Sequence, residues 1–256
     1  MNISAGKPGK SLDRHALQRW QQSPRAQRLM AQEVHEVGRV LPDLFGRHLL
    51  QIGSWCDSGE LLATSEMLHR AVLGTVPGLG AQALIEAERL PLAARSVDAV
   101  LLAHSLEFAR SPQSVLREIN RVLSDRGRLL VLGFNPWSVW GLRQRLGLRY
   151  RAFPTGARFV RAGRLHDWLE LLDFEVTEIR RFAVGGAFPP VHSDGESFTP
   201  ASLIAPMAGA YLLVAKKRVI PMTLLGRPVR SMVRPLIGTA AMPGARSAQT
   251  RDGEAG

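Results

Sequence analysis

Two apolar runs separated by one amphipathic run, between residues 86 and 135, restrict the fold of this chain more than any other feature. The first run covers residues 97–108 and the second covers residues 128–134. Between them, Pro112 opens a stretch in which apolar residues recur at helical spacing: Val115, Leu116, Ile119, Val122 and Leu123. A buried strand, a crossover helix and a second buried strand form a parallel unit that is covered on both faces. The sequence therefore predicts a layered α/β domain.

Short motifs lie at the ends of these elements. One set surrounds the end of a third strand and the start of a fourth: Glu86, Ala87, Leu90, Pro91 and Asp98. A second set follows the fourth strand, ends the helix and follows the fifth strand: Leu106, Glu107, Arg121, Val122, Leu123, Phe134, Asn135 and Pro136. Together these motifs resemble the class I S-adenosylmethionine-dependent methyltransferases, specifically the type 11 methyltransferase domain. The resemblance implies a Rossmann-like three-layer α/β/α fold with a seven-stranded, mostly parallel sheet and an antiparallel last strand.

Patterns elsewhere in the chain supply the remaining elements of such a fold. A helical cap is expected from Trp20 to Leu41, with Ser23 as its N-cap and Pro24 at its first position. Further helices are expected at 59–69 and 165–172, and the 125–127 turn is expected to end the central helix. The other expected strands are 49–53, 71–74, 83–86, 174–182 and 210–215.

The predicted organisation has three parts. Residues 1–41 form a basic N-terminus with the helical cap, and residues 42–218 form the methyltransferase-like domain. Residues 219–256 form a basic tail that we expect to be disordered, because prolines at 221, 228 and 235 interrupt any helix. The single cysteine excludes an intrachain disulfide, and no apolar run approaches the roughly 20 residues that span a bilayer. We therefore expect no transmembrane segment and a cytoplasmic location.

The net charge of +11 lies mostly at the two ends of the chain, since residues 1–30 carry +5 and residues 219–256 carry +3. One internal segment, 126–166, contains nine arginines and no acidic residue. It lies past the fifth strand, at the end of the sheet where such folds bind ligands. We expect an unidentified acceptor substrate, for which an anion is one alternative and nucleic acid a weaker one. A solvated arginine-rich surface without a ligand is the other interpretation.

The resemblance implies S-adenosylmethionine as cofactor, with its site at Gln51, Gly53, Trp55, Glu86, Ala87 and His104. The family has an acid and then alternate glycines after the first strand. Here Gln51 stands in place of the acid and Trp55 in place of the second glycine. The indole of Trp55 must either swing away or occupy the place of the methionine part of the cofactor. The acid that ends the family's second strand is also absent, because Gly74 and Thr75 stand there.

His104 and Glu107 follow the fourth strand, where a general base would take a proton from a nucleophile, and they are the candidate catalytic residues. The alternative is that they only line the pocket or cap a helix. Trp137 is expected either to form a wall of a substrate pocket or to pack in the core. No histidine has metal-ligand spacing, so no metal is expected.

The function that follows from these observations is methyl transfer from S-adenosylmethionine to an unidentified acceptor. A catalytically inactive methyltransferase-fold protein with a binding or regulatory role is the first alternative. An RNA-binding methyltransferase that uses residues 126–166 is the second. No phosphate-binding glycine motif follows a strand, which argues against a nucleotidase or a nicotinamide enzyme.

Overall fold

The structure is a computed structural model, and it describes residues 20–53, 55, 59–75, 80–138, 141–142, 157–182 and 208–218. The predicted tail 219–256 and the basic N-terminus before residue 20 lie outside the described residues. The division of the chain into three parts therefore stays a prediction. In the described part of the chain, no helix combines the length and apolarity needed to cross a bilayer.

Seven strands form one sheet, and the predicted fold class is confirmed. In chain order they are β1 His48–Ile52, β2 His69–Gly74, β3 Ala83–Leu84, β4 Val97–Ala103, β5 Leu123–Phe134, β6 Phe174–Phe182 and β7 Ala210–Lys217. The spatial order is β3-β2-β1-β4-β5-β7-β6. Strands β1 to β5 pair in parallel, and β7 pairs antiparallel with both β5 and β6. The strand order reverses between β1 and β4, and a ligand crevice is expected at the carboxyl ends of these two strands.

The helices cover both faces of the sheet. They are α1 Pro24–Gly38, α2 Ser105–Phe108, α3 Pro112–Val122 and α4 Ala162–Glu170, with 3-10 turns at Leu41–Asp43 and Glu60–Leu62. Side chains of β4 alternate between the two faces, with Leu101 and Ala103 on one and Val100 and Leu102 on the other. The first face packs against α1, and the second packs against α3 and α4. Each helix buries an apolar stripe, as its spacing in the sequence indicates.

Helix α1 is the predicted cap, although it is shorter than the predicted 20–41. The hydroxyl oxygen of Ser23 accepts a hydrogen bond from the backbone N–H of Ala26 at 3.2 Å, and Pro24 occupies the first turn. Proline fits there because the first N–H groups of a helix have no partner within the helix. The buried face of α1 includes Leu29 and Val37, and it also includes an acid, Glu33.

The prediction of a helix at 59–69 is wrong. That segment contains only the 3-10 turn Glu60–Leu62, and β2 begins at His69. The hydroxyl of Ser65 accepts a hydrogen bond from the N–H of Met67 at 3.2 Å, which competes with helical bonding of the backbone. Leu61 and Leu62 join the core under α1, so the cap covers this face of the sheet. Helix α3 also ends earlier than predicted, because β5 follows it directly at Leu123.

Candidate active site

Gln51 and Gly53 form the end of β1 and the start of the turn after it. Gln51 is fully buried, and its Nε2 donates a hydrogen bond to the carbonyl oxygen of Gly53 at 3.0 Å. Its Oε1 is buried and has no hydrogen-bond partner among the described residues. Gly53 has a φ of 102°, and a Cβ there would overlap the carbonyl oxygen of Ala103 and lie 2.6 Å from Ser105 Oγ. The chain therefore needs glycine here to pass close to the end of β4.

Replacing Gly53 with alanine should lower the free energy of unfolding by at least about 2 kcal/mol, because the methyl group adds a steric overlap to an unfavourable φ. Urea denaturation measures this loss. Gly163→Ala is the matched control, since the position is helical and the space around it is open. That variant should be unchanged or more stable by up to about 1 kcal/mol. Equal stability of the two variants would contradict the tight approach at Gly53.

The indole of Trp55 points into the protein. The side chain is 2% exposed, and its Nε1 donates a hydrogen bond to Oε2 of Glu33 at 2.9 Å. Its ring centroid lies 4.3 Å from that of His104, 4.8 Å from that of Trp20 and 5.5 Å from that of Phe134. The indole therefore lies over the carboxyl ends of β4 and β5, beneath the cap.

His104 follows β4 in the left-handed conformation, with a φ of 51°, and it is held between two carboxylates. Its Nε2 lies 2.7 Å from Oε1 of Glu33, and its Nδ1 lies 3.3 Å from Oε1 of Glu107. Burial by itself would lower the pKa of His104, but the charge of Glu33 and the hydrogen bonds to both carboxylates raise it to about 9. The ring is therefore an imidazolium at neutral pH, and it stacks on Phe134 at 4.1 Å between centroids.

Glu107 joins α2 to the end of β5. Its Oε1 accepts a second hydrogen bond, from the backbone N–H of Phe134 at 2.8 Å. Its Oε2 is buried and has no hydrogen-bond partner in the described part of the chain. Burial and then the charge of Glu107 raise the pKa of Tyr211 well above its ordinary value, and the Tyr211 hydroxyl donates to the carbonyl oxygen of Val160 at 3.0 Å. The predicted pair His104 and Glu107 thus lies in one buried network.

Glu33 is the residue that the sequence reasoning missed. It lies one helical turn from Leu29 and one turn from Val37, on the buried apolar stripe of α1. A charged side chain on such a stripe is rarely buried without a partner. That position was the available signal, although it does not identify the partner. Glu36, the other buried acid of α1, instead faces Arg180 at 3.5 Å.

The remaining predicted cofactor residues, Glu86 and Ala87, follow β3 on the other side of β1. Glu86 is exposed, and its carbonyl oxygen accepts a hydrogen bond from the N–H of Arg89 at 2.9 Å, while Ala87 is buried. Within the described part of the chain, no hydrogen bond, ion pair or ring contact joins them to Trp55 or His104. Among the same residues, no group of three or more histidine, cysteine or acidic side chains could hold a metal ion.

A cleft of about 650 Å³ opens beside this network, at the carboxyl end of β5. Four arginines line it: Arg110, Arg158, Arg161 and Arg164. None of them forms a salt bridge with a carboxylate that the structure describes. Two are stacked on indoles, with the guanidinium carbon of Arg161 at 4.7 Å from the ring centroid of Trp137 and that of Arg164 at 5.2 Å from Trp168. Trp137 is half exposed and forms a wall of the cleft.

A smaller cavity of about 190 Å³ shares Trp137 and Arg161 with the cleft and adds Arg181 and Tyr211 to its lining. Of the arginine-rich segment 126–166, residues 139–140 and 143–156 lie outside the described residues, and they include Arg143 and Arg145. Three described arginines of this segment, Arg158, Arg161 and Arg164, line the cleft, and the backbone of Arg158 contacts Glu107.

Comparisons with known proteins agree with this architecture. The family model of the methyltransferase domain matches residues 64–131. The uncharacterized protein YafS of Escherichia coli is 37% identical over 181 residues, which is 71% of this chain and 72% of that protein. The ubiquinone/menaquinone biosynthesis C-methyltransferase UbiE of Syntrophotalea carbinolica is 42% identical over 71 residues, 27% of this chain and 30% of that protein.

Solved structures share the fold. A methyltransferase from Thermotoga maritima, described as a possible histamine N-methyltransferase, superposes with a TM-score of 0.60 at 19% identity, covering 80% of this chain and 95% of that one. An S-adenosylmethionine-dependent methyltransferase from Archaeoglobus fulgidus gives a TM-score of 0.54 at 19% identity, and the superposition covers 72% of this chain and 92% of that one. The chain therefore belongs to the class I S-adenosylmethionine-dependent methyltransferases, and YafS is a relative over 71% of this chain's length.

Proposed function

We propose that this protein transfers a methyl group from S-adenosylmethionine to an anionic acceptor that binds in the arginine-lined cleft. The observation that supports an anion is the group of four arginines without a described carboxylate partner. Guanidinium groups recognise carboxylate and phosphate oxygens through paired hydrogen bonds. The faces of Trp137 and Trp168 hold two of these guanidinium groups in place.

The predicted cofactor residues fit S-adenosylmethionine at two points. Gln51 has a buried Oε1 without a described partner, and this oxygen can accept a hydrogen bond from the cofactor amine. Glu86 and Ala87 would hold the adenine end, since an exposed carboxylate precedes a small buried side chain there. The indole of Trp55 lies against His104 and donates to Glu33 just after the Gln51 and Gly53 turn, so it would shift if the cofactor occupied that space.

When bound, S-adenosylmethionine supplies a methyl group on a positively charged sulfur, which is an activated donor. The chain then has to hold the acceptor, exclude water and remove a proton where the nucleophile carries one. Arg161 and Arg164 would hold the anionic group of the acceptor. We assign the base to Glu107, because its Oε2 has no described hydrogen-bond partner while both ring nitrogens of His104 already face carboxylates.

The cleft lies one aromatic ring away from this base. Phe159 lines the cleft, and its ring centroid is 5.2 Å from that of Phe134, whose backbone N–H binds Glu107. A second link between the cleft and Glu107 is a direct hydrogen bond, which the backbone N–H of Arg158 donates to the carbonyl oxygen of Glu107 at 2.7 Å. An acceptor in the cleft would therefore approach the network from the β5 side.

Labelled methyl transfer tests the proposal. The full chain would be incubated with S-adenosylmethionine that carries a tritiated methyl group, together with cell metabolite pools separated by anion and cation exchange. We expect label in the anionic pool. The double variant Arg161→Ala, Arg164→Ala should lose at least about 90% of that label, because both stacked guanidinium groups are removed. Its cofactor affinity by calorimetry should stay within about threefold of wild type.

Arg126→Ala is the matched control, because Arg126 is an exposed arginine near the start of β5, at the opposite end of that strand from the cleft. This variant should label the anionic pool like the wild type. Label in the neutral or cationic pool would contradict the anionic acceptor, and label in RNA would support the nucleic-acid alternative. Cofactor binding without label in any pool would support the inactive binding protein.

A further inference from the structure

We propose that the acceptor carries two anionic groups and that the smaller cavity, beside the cleft, binds the second of them. This inference rests on the proposed function, because it takes the anionic acceptor in the cleft as given. It assigns a binding role to Arg181 on β6, which lines the smaller cavity and not the cleft. The two spaces adjoin, since Trp137 and Arg161 line both of them. One molecule can therefore extend from the cleft into the cavity.

The sizes of the two spaces differ in a way that suits this division. Ligand pockets in proteins usually have a volume of roughly 300–1,000 Å³. The cleft, at about 650 Å³, lies within that range, whereas the smaller cavity, at about 190 Å³, lies below it. The cleft therefore has room for the body of an acceptor, and the smaller cavity has room for one substituent group.

The alternation of side chains along β6 directs Arg181 to the smaller cavity. Its neighbour Arg180 lies on the α1 side, with its Nη1 at 3.5 Å from Oε2 of Glu36. Arg181 is paired with Tyr211 of β7, whose side chain packs in the core on the α3 and α4 side. Residues directly opposite each other on neighbouring strands share a face of the sheet. Arg181 therefore lies away from Glu36, and it forms no ion pair with a carboxylate that the structure describes.

The described lining of the cavity contains two arginines and no acidic residue. The second arginine, Arg161, has its guanidinium carbon at 4.7 Å from the ring centroid of Trp137, so the indole holds this cation between the two spaces. Tyr211 adds no negative charge at neutral pH, because burial and the charge of Glu107 raise its pKa well above the ordinary value. Two guanidinium groups that face one small cavity suit a carboxylate or phosphate group.

The start of α4 adds backbone donors to the same cavity. Arg161 is the N-cap of this nine-residue helix, and its side chain forms no capping hydrogen bond. Ala162 and Gly163 follow it and line the cavity, and a Cβ at Gly163 would meet no heavy atom within 4 Å. The N–H groups of a first helical turn have no partner within the helix, so they can donate to an anion. They complement the charge that Arg161 and Arg181 supply.

Probes with one and with two anionic groups test the second subsite. Methylphosphonate and a series of alkane diphosphonates of increasing length would be titrated into the full chain without cofactor, by calorimetry. Wild type should bind the diphosphonate of optimal length at least about tenfold more tightly than methylphosphonate, because the linked groups reach both subsites at once. Shorter and longer diphosphonates carry the same charge and should bind more weakly than the optimal one.

Variants of Arg181 show whether this gain comes from the smaller cavity. Arg181→Glu should remove it, so that the optimal diphosphonate binds within about threefold of methylphosphonate. Arg181→Gln removes the charge without adding an acid, and it should lose most of the gain as well. Arg126→Glu is the matched control, because it changes the net charge equally at an exposed arginine near the start of β5, and it should keep the gain. Thermal melting shows that each variant is folded before titration.

The outcomes separate this inference from the proposed function. If wild type shows no optimal length, or if folded Arg181→Glu and Arg181→Gln keep the gain, the second subsite is wrong while an anionic acceptor in the cleft stands. If Arg126→Glu loses the gain too, the attraction comes from the charge of the whole protein, and the subsite is again wrong. Mass spectrometry of the methylated anion from the labelling assay gives an independent check. A product with two anionic groups supports the inference, and a product with one contradicts it while supporting the proposed function.

Discussion

Replacing His104 with asparagine should lower the free energy of unfolding by about 3 to 5 kcal/mol. The substitution removes the only cation of the described network and leaves Glu33 and Glu107 as buried carboxylates. Asparagine is the suitable replacement, because the residue has a φ of 51° and asparagine tolerates the left-handed conformation. The backbone effect is therefore small, and the loss measured by urea denaturation reports on the charge network.

Two comparisons show whether the loss comes from charge. His166→Asn removes a partly exposed histidine that lies 3.9 Å from Glu170, and it should change stability by less than about 0.5 kcal/mol. Adding Glu33→Gln to His104→Asn should restore at least about 1 kcal/mol, because one unpaired carboxylate disappears with it. Simple addition of the two single losses would contradict a coupled network.

Raising the pH from 6.5 to about 9.5 should cost the wild-type fold roughly 3 kcal/mol through His104 alone. The pKa of His104 is about 9 in the folded protein and near 6.5 in the unfolded chain. The folded state therefore keeps a proton that the unfolded state has released. This stabilisation is complete below pH 6.5 and is lost as the pH rises through 9. Tyr211 contributes only at higher pH, because its pKa is raised well above 10.

The measurement is the stability difference between wild type and His104→Asn across this pH range. Groups outside this network titrate alike in both proteins and cancel, so the difference reports on His104 together with the two acids that it contacts. The difference should be largest near pH 6.5 and should shrink by pH 9.5. A constant difference over the whole range would mean that His104 does not hold an extra proton in the folded state.

The sequence by itself determined the layered fold. Strict spacing of apolar residues placed α3, β4 and β5, and the Ser23 and Pro24 pair marked the start of α1. These features are local, because each depends on the period of one segment or on one cap. The wrong prediction of a helix at 59–69 also came from local sequence, because helix-forming residues are present there. The hydrogen bond to the Ser65 hydroxyl and packing under α1 favour a turn instead.

The candidate site was only partly predictable. The resemblance to the family's motif after the first strand selected Gln51 and Gly53, and position after the fourth strand selected His104 and Glu107. Position did not give the direction of the Trp55 indole. It also did not show that His104 holds a proton, because the pKa depends on which carboxylates surround the ring.

Only the tertiary structure decided how the network is completed. Glu33 meets His104 across 71 positions of the chain, and Arg161, the N-cap of α4, stacks on Trp137 just past the end of β5. Apolar spacing shows which face of a helix is buried, but it does not show which strand end that face will cover. That choice depends on how the whole cap packs on the sheet. The proton that His104 holds is therefore a property of the assembled fold.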